Sequence, residues 1–219
     1  MYLTRFRINT ARRGARKLLA SPQAMHAALL SAFAEPASGG DHGPRVLWRI
    51  DGSAHNRTLY LVSPTEPDLT HLVEQAGWPT TETWDTRKYG DFLASLRPGE
   101  RWAFRLTANP VRYGKLPHRE ETRRLGHVTV EQQRQWLLDR AARAGFRVTL
   151  TAAGEPDLVI HGRQTLTFKR GNGRVTLRVA TYDGHLEVTD ADALRNALTR
   201  GIGHAKAYGC GLLTLARPA

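Results

Sequence analysis

The sequence predicts an α/β (α+β) protein made of two consecutive β-α-β-β-α-β modules with antiparallel sheets. Three observations predict it. Stretches with apolar residues at every second position, the pattern of half-buried strands, alternate with stretches at helical spacing. The strand and helix order of the first half returns, with an enlarged hairpin, in the second. The composition, 41% hydrophobic and 24% charged over 219 residues, supplies apolar surface for two small cores.

Tyr2 to Ile8 is the first strand, with Tyr2, Thr4, Phe6 and Ile8 on one face and Leu3, Arg5 and Arg7 on the other. Ser21-Pro22 opens a helix, with serine at the N-cap and proline at the first helical position. Met25, Ala28, Leu29, Ala32 and Phe33 follow at helical spacing, and Pro36 with Gly39-Gly40 ends the run. Arg45 to Ile50 and Thr58 to Val62 are strands, Leu69 to Ala76 a short helix closed by Gly77, and Arg101 to Thr107 a fourth strand. This order is the ferredoxin-like pattern, and the first module is expected to span 1–110.

Residues 111–128 are polar, basic and aperiodic, and read as a mobile linker or an arm on nucleic acid. The second module, 129–219, opens with a capping box of Thr129 and Gln132 on a helix running to Ala144 before Gly145. Strands at Arg147–Leu150, Val159–Phe168, Arg174–Tyr182 and His185–Val188 follow, with Asp183-Gly184 expected to form a hairpin turn. Thr189 with Asp192 is expected to cap the last helix, whose apolar face is Ala191, Leu194 and Leu198. A glycine-rich loop and a strand at Leu212–Leu215 close the chain.

Charge narrows the function. Thirty-two Lys and Arg against twenty Asp and Glu leave +12, a field that attracts polyanions. The single cysteine, Cys210, excludes an internal disulfide and a cysteine zinc cluster. No apolar run approaches a transmembrane span. Arg12-Arg13 ahead of 24–34 imitates a twin-arginine export signal, but Met25-His26 interrupts the apolar run and 2–8 is already a strand. A cytoplasmic location and no membrane partner are therefore expected.

The cations are clustered. Arg5, Arg7, Arg12, Arg13, Arg16 and Lys17 all precede the first acid, Glu35. Between His161 and Arg178 stand Arg163, Lys169, Arg170, Arg174 and Arg178 with no acid among them. Leu166, Phe168, Val175, Leu177 and Val179 share one face of that ribbon. Arg163, Thr165, Thr167, Lys169, Arg174, Thr176 and Arg178 share the other, a cationic face that can dock along a nucleic-acid groove. The loop with Gly201, Gly203, Lys206, Gly209 and Gly211 is neither a P-loop nor a dinucleotide fingerprint. Paired glycines about a lysine suit close approach to phosphate, whereas a tight turn alone explains one or two of them.

No His-x-x-x-His, Cys-x-x-Cys or paired-acid motif occurs, so neither a metal nor another cofactor is expected. His26 differs from the loop histidines His42, His55, His118 and His127 in lying on a helix shoulder beside Met25. By context alone it reads as a structural residue. RNA changes that reading, because its 2′-hydroxyl is a nucleophile that needs only a proton carrier titrating near neutrality and cations for the phosphate.

The opening M-Y-L-T-R-F, Pro22 with Met25-His26, the segment Phe104-Arg-Leu-Thr-Ala-Asn-Pro110 and the ending G-I-G-H-A-K-A-Y-G-C-G-L-L-T-L-A together resemble the CasE family, the CRISPR repeat endoribonucleases of the type I-E Cascade complex. The resemblance covers nearly the whole chain. It implies tandem ferredoxin-like (RRM-like) modules and metal-independent cleavage at the 3′ base of the repeat stem-loop, with the product retained. It also implies other Cascade subunits as partners, His26 as the catalytic histidine and 161–178 as the hairpin that reads the stem. Relatives often carry an aromatic residue three before the histidine, where this chain has Gln23. A non-cleaving RRM-like RNA-binding protein is the alternative, and a DNA-binding structural protein fits the charge but not the resemblance.

Overall fold

A computed structural model describes residues 1–34, 45–78, 83–115, 122–171 and 173–218 of the chain. Two compact units emerge: Met1–Ser95 with Thr199–Gly201 and Lys206–Leu212, and Leu96–Leu198 with Ile202–Ala205 and Leu213–Ala219.

The first unit contains β1 (Tyr2–Ile8), α1 (Arg13–Ala20), α2 (Pro22–Leu30), β2 (Leu47–Gly52), β3 (Arg57–Ser63), α3 (Thr70–Ala76), β4 (Trp84–Lys88) and α4 (Gly90–Ser95). Its antiparallel sheet runs β2-β3-β1-β4. Thr4, Phe6 and Ile8 are buried while Arg5 and Arg7 are exposed, as the alternation of β1 requires. Phe6, Ile8, Leu59 and Leu61 meet Ala15, Leu18, Met25, Leu29, Leu69 and Leu72 in one core. Helix α1 escapes a reading of the sequence because its cations, Arg13, Arg16 and Lys17, outweigh the Ala15/Leu18 stripe that it buries.

The second unit contains β5 (Arg101–Ala108), β6 (Val111–Lys115), β7 (Thr122–Gly126), α5 (Val130–Ala141), β8 (Phe146–Val148), β9 (Leu158–Arg170), β10 (Gly173–Val188), α6 (Ala191–Arg200) up to Leu198, and β11 (Leu213–Ala216). The sheet order is β11-β5-β10-β8, with β9 paired to β10. Both sheets are antiparallel with helices interleaved between their strands, as in the ferredoxin-like arrangement. Trp136 and Tyr182 stack with centroids 6.0 Å apart, and the Tyr182 hydroxyl donates to the Gln133 carbonyl at 3.1 Å.

Several expectations change. Arg101–Thr107 does not end the first module: β5 pairs β10 and β11, and the fourth strand of the first sheet is β4. Periodicity identifies a strand but not its partner. The supposed linker 111–128 instead pairs Val111–Lys115 with Thr122–Gly126 as a hairpin. Asp183-Gly184 is no turn, because β10 runs through it unbroken. There Arg105 donates to both Asp183 carboxylate oxygens at 2.6 Å across the sheet. A Cβ on Gly184 would lie 2.1 Å from the Asp157 carbonyl, so this glycine serves close backbone approach. Helix α6 is capped by Asp190, which accepts from the amides of Asp192 and Ala193 at 2.9 and 3.0 Å, and not by Thr189. Pro36, Gly39-Gly40 and the centre of the 111–128 segment lie outside the described residues.

Candidate functional site

In the first unit the site is built on α2. The Ser21 hydroxyl accepts from the Ala24 amide at 3.2 Å and Pro22 begins the helix, so its register is set from the N-terminus. Met25 and Leu29 are buried in the core. His26, one position on, is half-buried on the shoulder. Its Nδ1 is shut off from solvent with no hydrogen-bond partner among the described residues. Burial lowers its pKa below the usual 6.5, because the charged imidazolium loses hydration. The neutral ring, a proton acceptor, is thus the form at neutral pH.

Helix α2 lies beside the turn Lys206–Tyr208, with Cα atoms within 8 Å. The same unit thereby brings the helix that carries His26 beside the turn that carries Lys206, from opposite ends of the chain. The Lys206 ammonium is half-buried and its pKa is lowered, first by burial and then by the charge of Arg45.

The glycines around Lys206 are explained by backbone geometry to a greater degree than the sequence suggested. Gly201, Gly203, Gly209 and Gly211 all adopt positive φ, from 75° to 92°. In the first unit, a Cβ on Gly209 would lie 2.8 Å from the Trp48 ring. One on Gly201 would lie 2.9 Å from the Gly211 carbonyl oxygen. In the second unit, a Cβ on Gly203 would lie 2.9 Å from the Trp136 ring. Cys210 is fully buried and its thiol is pushed up to about 12, so it acts as core and not as a nucleophile.

In the second unit, β9 and β10 form the ribbon that alternation predicts. Lys169 stands opposite Arg174, Thr167 opposite Thr176 and Thr165 opposite Arg178, all exposed. Phe168 opposite Val175 and Leu166 opposite Leu177 form the inner face. A bulge between Val179 and Thr181 increases the local twist. The cations are not equivalent. Arg163 donates from Nε to Gln133 Oε1 at 2.9 Å and also reaches the Val128 carbonyl. Arg178 donates to Thr165 Oγ1 at 2.6 Å, while Lys169, Arg170 and Arg174 have no acidic partner among the described residues.

The N-terminal cations divide as well. Arg5, Arg7 and Arg13 differ from Arg12 in having no such anchoring among the described residues, and Arg5 and Arg7 are exposed. The Arg12 guanidinium donates to the carbonyls of Val73 (3.1 Å), Gly77 (3.2 Å) and Glu74, closing the C-terminal end of α3. Its role is structural. Tyr113, placed by the sequence in a linker, stands exposed on β6 with the His204 ring nearly perpendicular to it at 6.2 Å. Its position between Arg112 and Gly114 was the only sequence signal for it. Among the described residues no three His, Cys, Asp or Glu side chains stand close enough to share a metal ion, and no helix is long and apolar enough to cross a membrane.

A family model described as CRISPR associated protein matches residues 1–217. The chain belongs to this CRISPR-associated protein family. Within the family, it is 30% identical over 223 residues to the CRISPR-associated endoribonuclease Cse3 of Thermus thermophilus, covering 99% of this chain and 100% of that protein. Its fold is similar to a solved structure of CRISPR endoribonuclease Cse3 bound to a 19-nucleotide RNA, with TM-score 0.83, 30% identity and coverage of 99% and 100%. The Thermus thermophilus Cse3 structure bound to an RNA representing a pre-cleavage complex gives TM-score 0.80 at 30% identity and 98% coverage of each chain. Cas6e from Escherichia coli K-12, at 23% identity, TM-score 0.67 and full coverage of both chains, shares the fold. The resemblance drawn from the sequence motifs is borne out.

Proposed function

We propose that this CRISPR-associated protein is an endoribonuclease that cuts CRISPR repeat stem-loop RNA without a metal ion and stays on its product. The observation that carries the proposal is His26: a half-buried imidazole with a lowered pKa, on a helix beside the Lys206 turn. The identity to RNA-bound Cse3 over the whole chain supports the substrate class.

In this reading His26 is the general base. The 2′-oxygen of the RNA bonds to the adjacent phosphorus as the bond from phosphorus to the 5′-oxygen breaks. His26 takes the 2′-hydroxyl proton, and the leaving 5′-oxygen takes one proton from water. The products are a 2′,3′-cyclic phosphate and a 5′-hydroxyl. Lys206 supplies positive charge for the phosphate, which a positioned cation stabilises most as charge builds up. The exposed cations of the β9–β10 ribbon hold the stem, and retention of that stem after cleavage suits a subunit of a Cascade-type surveillance complex.

The test is a repeat stem-loop RNA incubated with the protein in EDTA, beside a copy with 2′-deoxy at the scissile nucleotide. Cleavage of the first and survival of the second is the expected result. Tight binding without cleavage of either supports the non-cleaving RNA-binding reading. Cleavage of the 2′-deoxy copy removes the 2′-hydroxyl as nucleophile.

A further inference from the structure

The hairpin β6–β7 plays no part in the chemistry above, yet it carries one of the most exposed aromatic side chains of the described residues. Tyr113 is 64% exposed. An aromatic ring left in water needs a structural reason or a partner, and no core claims this one. It is nevertheless held in place. The His204 ring meets it nearly at right angles, centroids 6.2 Å apart, and the His204 backbone bridges to Asn109, two residues before β6 begins. The ring is therefore held by a near-perpendicular neighbour while most of its surface stays open.

Its surroundings are those of a polyanion site. Across the hairpin, Val111 pairs with Gly126 and Tyr113 with Arg124, so Gly126 and Tyr113 lie on one face, two residues apart along the strands. On that face a Cβ at Gly126 would lie 2.4 Å from Arg178 Cγ: the glycine leaves room for the Arg178 stem. The Asn109 side chain accepts from the Arg178 amide at 3.2 Å. Arg178 of the cationic ribbon thus packs against the hairpin that carries the tyrosine, at Gly126 and, through its amide, at Asn109. On the opposite face Arg112 folds over Gly114.

We propose that Tyr113, braced by His204, is a stacking platform for an unpaired base of bound RNA, immediately beside the stem held on the β9–β10 ribbon. The inference rests on the RNA-binding reading above and adds a second recognition element to it. Paired bases hide their faces in the helix, so an open ring selects unpaired nucleotides, and any base can supply the π-face. The ribbon then measures the duplex, and Tyr113 engages single-stranded RNA at its end.

The experiment uses two RNAs made uncleavable by 2′-deoxy at the scissile site. One is a repeat stem-loop with its unpaired flanks; the other is trimmed to the closing base pair. Tyr113→Ala is expected to weaken binding of the flanked RNA by about 5- to 100-fold, the value of one lost stacked base. It should leave the trimmed RNA at parental affinity, and Tyr113→Phe should bind both as the parent does. A 2-aminopurine placed in turn at each unpaired position should be quenched at one of them by the parent and not by Tyr113→Ala. The thermal midpoint of the alanine variant should equal the parent's, since the ring supports no core. Equal affinity of parent and Tyr113→Ala for the flanked RNA, or equal losses on both RNAs, overturns the platform while leaving the RNA reading intact. A parent that binds neither RNA overturns both.

Discussion

Arg163 Nε donates to Gln133 Oε1 at 2.9 Å, and the Gln133 amide donates in turn to the His127 carbonyl at 3.0 Å. Gln133 is 3% exposed, so this pair ties the base of the β9–β10 ribbon to the first turns of α5. One cation of the ribbon is a structural anchor, whereas Lys169, Arg170 and Arg174 farther along it stand exposed.

Arg163→Ala is therefore expected to lower stability by about 1 kcal/mol, the value of a lost hydrogen bond, besides any effect on RNA. Neutralising Lys169, Arg170 and Arg174 together should leave the melting temperature unchanged and weaken RNA binding steeply. The slope of log affinity against log salt should shrink by about 0.7–0.9 for each phosphate contact removed. A loss of affinity at constant slope shows that these side chains read bases instead of phosphates.

His26→Ala should lower single-turnover cleavage by at least about 10²–10⁴-fold and leave RNA affinity close to the parent's. The ring lies on the helix shoulder, so its removal opens little of the core that Met25 and Leu29 close. A folded variant that binds and cuts at the parental rate rules out the assignment.

The pH profile follows from the same burial. Because burial lowers the His26 pKa in the free protein, its base form predominates at neutral pH and is lost on acidification. The acid limb of kcat/KM should have its midpoint below the ordinary histidine value of about 6.5, with a plateau through neutrality, and should vanish in His26→Ala. A limb that falls as pH rises through neutrality makes the histidine an acid instead.

In the glycine-rich loop, stability and RNA binding separate by residue. Gly203 has φ of +82°, and a Cβ there would lie 2.9 Å from the Trp136 ring, so Gly203→Val should destabilise the fold by about 1–3 kcal/mol. Lys206→Ala should instead slow cleavage with a smaller change in melting temperature. Calorimetry beside a cleavage assay distinguishes the two, and equal stability losses would make Lys206 a packing residue.

The local code of this chain was legible in its residues. Alternation specified β1 and both faces of the ribbon, from Arg163/Lys169/Arg174 outside to Phe168/Leu177 inside, because strand side chains alternate whatever their partners. Ser21-Pro22 and the Thr129/Gln132 capping box set the starts of α2 and α5, because caps act within a few residues. Non-local pairing was not legible. Only the fold reveals that β5 sits beside β10 and β11, that Asp183 is held by Arg105 where a turn was expected, and that Arg12 closes α3 from 61 residues away in the chain. The candidate site follows the same division. Residue type and helix position singled out His26, but the Lys206 turn beside its helix and the burial that lowers its pKa belong to the tertiary structure. Periodicity and caps are properties of neighbours in sequence; desolvation and strand partnership are properties of neighbours in space, and these the tertiary structure alone decides.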